Sequence, residues 1–95
     1  MCTYATVTTA LAGSAKGPGG SWFSITDGTV YFDHPVHAPA EHTLNIDFLA
    51  PAAGPSARVA VELTLESAEA LVRAIEAAIA SVPPALRRTS PAAPD

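Results

Sequence analysis

All three histidines of the chain fall within nine residues, in the run Asp33-His34-Pro35-Val36-His37-Ala38-Pro39-Ala40-Glu41-His42. Neutral imidazoles and carboxylates are the ligands that zinc, iron and similar ions prefer. His34, His37 and His42 are therefore candidate metal ligands, with Asp33 or Glu41 as the carboxylate that orients a ligand or acts as a base. The spacing H-x2-H-x4-H is not that of a helical site, because Pro35 and Pro39 break the segment. A proline-bent loop can still converge three side chains on one ion, and a fourth, open position would suit catalysis on a small molecule. Zinc is the expected divalent metal, since few thiolates accompany the histidines; iron, nickel or copper would accept the same ligands.

The same residues have two other readings. Histidines are common in polar loops, and His42 shares the parity of Leu44 and Ile46, which would make it a residue at the edge of the core. Without a metal, His37 or His42 could pair with Asp33 or Glu41 as a general acid–base couple. Cys2 either starts a strand as a small apolar residue or, once Met1 is removed, offers a thiol and an amine on one residue.

Length and composition bound what must hold this loop. The 95 residues suit one domain, expected over residues 1–83, with a disordered Pro/Ala-rich tail over 84–95. Hydrophobic residues make up 48% and charged residues 15%, so polar groups are too few to cover a small surface, and a homo-oligomer, a dimer first, is expected. The net charge is −4, and the five basic residues cannot form a patch for nucleic-acid phosphates. A single cysteine forms no internal disulfide, no basic-then-apolar leader is visible, and no apolar stretch is long enough to span a bilayer. A cytoplasmic location follows, with a small-molecule ligand as the other partner.

Cys2–Leu11 is rich in β-branched residues and predicts a strand, followed by a loop over Gly13–Gly20. Trp22–Ile25 and Thr29–Asp33 flank Asp27-Gly28, a favoured hairpin turn, although one bulged strand through this region is the alternative. Thr43–Leu49 alternates, with Leu44, Ile46 and Phe48 on one face and Asn45 and Asp47 on the other. Arg58–Leu63 alternates likewise, with Val59, Val61 and Leu63 inward. Thr64 is a good N-cap for a helix whose stripe is Ala68, Leu71, Val72, Ile75, Ile79 and Val82, and Pro83-Pro84 stop it.

Strands first and one helix last argue for an α+β fold: a four- to five-stranded antiparallel sheet with a C-terminal helix packed on one face. The uncovered face is then free for water, an apolar small molecule, a partner protein or a second subunit. The chain is thus read either as a small metal-binding protein, even a compact metalloenzyme, or as a non-catalytic oligomeric module working through its open sheet face.

The runs CTYATVTTALAGSAKGPGG, YFDHPVHAPAEHTLNIDF and RVAVELTLESAEAL resemble an uncharacterised family of small actinobacterial proteins over roughly the first four-fifths of the chain. That resemblance implies a compact stand-alone domain of unknown function and assigns no catalytic residue.

Overall fold

The computed structural model of the protein describes residues 4–87. Four strands, β1 (Thr6–Lys16), β2 (Trp22–Asp33), β3 (Thr43–Leu49) and β4 (Arg58–Leu63), form an antiparallel meander in chain order. The main helix α1 (Leu65–Ala80) follows at once and packs beside β3 and β4, and the short α2 (Pro84–Arg87) comes after it. The expected α+β architecture is therefore present, with four strands.

Asp27-Gly28 does not turn the chain. Asp27 pairs with Ala10 and Leu49, and Gly28 with Thr9 and Phe48, so both lie in the middle of one continuous β2. The bulge is in the other partner: between Ala10 and Gly13 the register of β1 slips against β2. The expected loop at Gly13–Gly20 accordingly shrinks. Gly13 to Lys16 are paired, and the turn is closed by Gly17 N–H to Ser21 O (2.9 Å) and Gly20 N–H to Gly17 O (2.9 Å), with Gly20 at φ +88°. That positive φ is one only glycine adopts freely.

Register assigns the two faces. Val30, Ile46 and Val61 align across three strands, as do Phe32, Leu44 and Leu63, giving one apolar face. Tyr31, Asn45 and Glu62 align on the opposite, polar face, with Asp47 and Ala60 in the next row. The alternation read in β3 and β4 thus sets both faces.

Thr64 caps α1 as expected, its Oγ1 accepting from Ser67 N–H at 3.1 Å. Beyond Ala68, which is buried, every residue of α1 is exposed. The helix thus meets the sheet near its N-terminal turn, and the rest of its apolar stripe is left uncovered. The expected tail begins with ordered structure: Arg87 Nη1 donates to Ile79 O (2.7 Å), tying α2 to the last turn of α1. The remainder of that expected tail lies outside the described residues. No helix among the described residues is long and apolar enough to cross a membrane.

Candidate functional site

The His-rich connection runs from β2 to β3 and folds toward the polar face of the sheet. Its anchor is Glu62 on β4. Glu62 Oε2 accepts from Val36 N–H (2.6 Å), and Oε1 accepts from His37 N–H (3.1 Å) and Ala38 N–H (2.8 Å). Three successive amides on one carboxylate give a short segment with no regular structure a fixed position. The amides of Val36 and then Ala38 hold the Glu62 carboxyl below its ordinary value, because they bond the charged form.

At the start of the connection Asp33 Oδ1 accepts from His34 N–H (2.7 Å). The His34 ring returns to the far end, with Nδ1 3.0 Å from Glu41 O. Its centroid lies 4.4 Å from that of His42. His42 in turn stacks on Phe32, with centroids 5.5 Å apart and rings 15° from parallel, and Tyr4 meets both rings edge-on. His42 thus sits at the margin of the apolar face, as its parity with Leu44 requires.

Beneath the connection, Tyr31, Asp33, His34, His37, Asn45 and Glu62 help line a cleft of about 670 Å³ that continues along β4 to Arg58. At that end Asp47 is doubly held: Oδ1 accepts from Arg58 Nη2 (3.0 Å) and Oδ2 from Tyr31 Oη (3.2 Å). Burial first, then the Asp47 charge and hydrogen bond, push the Tyr31 hydroxyl above its ordinary pKa, with Arg58 acting in the opposite sense. Asp47 therefore fixes the guanidinium at the end of the cleft that Arg58 lines.

The floor of the polar face also holds the two buried polar side chains among the described residues. Thr43 is 0% and Asn45 5% exposed, and Thr43 Oγ1 donates to Asn45 Oδ1 at 2.7 Å. Thr43→Val keeps the shape and leaves that oxygen without its donor. We expect a loss of about 1–3 kcal/mol, read from the midpoint of urea unfolding at an unchanged denaturant slope.

The expected site residues are therefore divided. His34 and His42 come together, His34 and His37 share the cleft with Asp33, and His42 belongs to the aromatic cluster at the other face. Glu41 contributes its carbonyl to His34, and Cys2 lies outside the described residues. No group of three or more histidine, cysteine, aspartate or glutamate side chains among the described residues is placed to hold a metal ion. Tyr31, Asp47, Arg58 and Glu62 build the cleft without having been singled out as site residues. The signal for them was the outward parity of Asp47, Arg58 and Glu62 on two strands whose neighbours alternate so regularly.

A model of a family of unknown function, DUF6295, matches residues 1–88. The chain belongs to that family. No curated protein and no solved structure is detectably similar to it. DUF6295 membership therefore brings no activity or ligand with it, and what this chain does has to be argued from its own surfaces.

Proposed function

We propose that this DUF6295 chain is a non-catalytic cytoplasmic interaction module, whose work is done by association along its apolar face. One observation carries the reading. Among the described residues the buried apolar set consists of Ala50 and Ala68, and no leucine, isoleucine, valine or phenylalanine is fully buried. A domain of this size is normally held by several buried aliphatic or aromatic side chains, each contributing about 1.5–3 kcal/mol. Here that contribution is left to be collected by a partner. The cleft under the histidine connection would take a polar small ligand as a passenger, with Glu62 already engaged by three amides and Asp47 by Tyr31 and Arg58.

The test combines sedimentation velocity at micromolar concentration with binding of an environment-sensitive apolar dye. An associated species, or a monomer that binds the dye strongly, supports the reading. A monomer that binds no dye and melts sharply would end it, because its face would then be closed on itself.

A second reading, zinc or another divalent ion on the histidine connection, is supported by one arrangement. With Nδ1 of His34 donating to Glu41 O, Nε2 carries the lone pair, the tautomer that a metal ligand needs. Elemental analysis of untagged protein decides it. Stoichiometric metal that disappears on His34→Ala and His42→Ala sustains this reading; a substoichiometric content indifferent to them removes it.

A further inference from the structure

Resting on the interaction-module reading, the geometry points to a second copy of this chain as the occupant of the apolar face, seated helix against helix, with the two α1 segments antiparallel about a two-fold axis near Ile75. Leu65 is 51%, Val72 53%, Ile75 50%, Ile79 50% and Leu86 60% exposed, and the first four share one side of α1 by helical spacing. Together with Ala68, which is buried within the chain, and Val82, they recur in alternate steps of three and four from Leu65 to Leu86, a spacing that suits a seam between two helices. Ile79, Val82 and Leu86 line one shallow groove, so the stripe continues past the end of α1.

Area argues for a copy of the same chain. These side chains present on the order of 500 Å² of aliphatic surface per protomer, near the upper end of what a monomer leaves uncovered. Two copies would bury on the order of 1,000 Å² in total from these side chains, against roughly 1,600 Å² for a standard interface, and the half-buried sheet residues beside the stripe would have to supply the rest. A self-complementary patch needs only one gene product to meet it, and two-fold dimers are the commonest solution.

Charge chooses the direction. The N-terminal half of α1 carries Glu66 and Glu69, and Arg87 follows its C-terminal end. Antiparallel pairing sets each acidic half against the basic end of the other helix and opposes the two helix dipoles. Parallel pairing would align the two helix dipoles and set the acidic first turns, with Glu66 and Glu69, side by side. The midpoint of the stripe from Leu65 to Leu86 falls at Ile75, which therefore lies on the axis, with Val72 facing Ile79 of the other copy.

Sedimentation combined with cysteine cross-linking in a Cys2→Ser background tests the arrangement. The unsubstituted chain should sediment as a dimer at micromolar concentration, and Ile75→Asp should weaken the dimer at least tenfold. Under mild oxidation Ile75→Cys should cross-link to itself, and Val72→Cys mixed with Ile79→Cys should cross-link to each other. Leu65→Cys alone should not, because its two copies would stand about 30 Å apart. Efficient self-cross-linking of Leu65→Cys would overturn the antiparallel pairing. A dye-binding monomer would overturn the second copy as occupant while leaving the interaction-module reading standing, and a monomer that binds no dye would remove both.

Discussion

Glu62→Ala should set the histidine connection free while leaving the sheet intact. Pro35–Glu41 contains two prolines, has no regular structure and makes one backbone bond of its own, Ala40 N–H to Ala38 O at 2.9 Å. Its place over the polar face therefore depends on the three amides held by Glu62. Removing the carboxylate returns those amides to water, and their hydrogen exchange should quicken by ~tenfold or more, with strand amides of β3 unchanged. Glu62→Gln keeps one acceptor oxygen and should fall between the two. The pH dependence follows from the same contacts. Because the folded-state pKa of Glu62 is depressed, its contribution is fully present above the ordinary carboxyl value of 4.5 and is lost as pH falls through the lower folded value. The amide resonances of Val36, His37 and Ala38 should consequently titrate together, with a midpoint below that of an ordinary glutamate. Fast exchange of all three amides in the unsubstituted protein at neutral pH would show that the carboxylate does not hold them.

That latch also marks where sequence reasoning stops. Periodicity is a local signal, so the faces of β3 and β4, the cap at Thr64 and the stripe of α1 were all legible. The prolines at 35 and 39 announce a connection without regular structure, but nothing within it names Glu62, which is 24 to 26 residues away and reaches it only through the pairing of three strands. The clustering of histidines in sequence was equally silent about direction: His42 follows the parity of β3 onto Phe32, while His37 is carried to the cleft by the hydrogen bond its backbone N–H donates to Glu62. Periodicity likewise tells which side of α1 is apolar, and not what covers it. The stripe implies a buried face, and in one chain that face is open beyond Ala68 because a helix entering directly from β4 meets the sheet only near its first turns. On the dimer proposal, burial of such a stripe is a property of two chains, a quantity that no single sequence window contains.

Gly28→Val tests the remaining departure, the strand that runs straight through Asp27-Gly28. A two-residue turn needs glycine for its positive φ, whereas Gly28 has no such φ and is fully paired on both sides. Glycine is required there for space. The bulge in β1 directs Leu11 over β2, and a Cβ on residue 28 would come 2.7 Å from Leu11 Cδ1. On backbone preference alone, valine in a central strand should gain up to about 1 kcal/mol over glycine. Overpacking costs about 1–3 kcal/mol, and here it is relieved by moving the half-buried Leu11 side chain away from β2. The steric term is the larger, so Gly28→Val should destabilise by about 1–2 kcal/mol in urea unfolding. Gly28→Ala should cost less, since the clashing atom is the flexible end of a leucine. The decisive measurement is the double variant with Leu11→Ala. If space is the reason for glycine, removing Leu11 should make valine at position 28 neutral or favourable, a coupling of about 1 kcal/mol or more. If the two substitutions are additive, glycine is there for its backbone and the strand assignment through 27 and 28 is wrong.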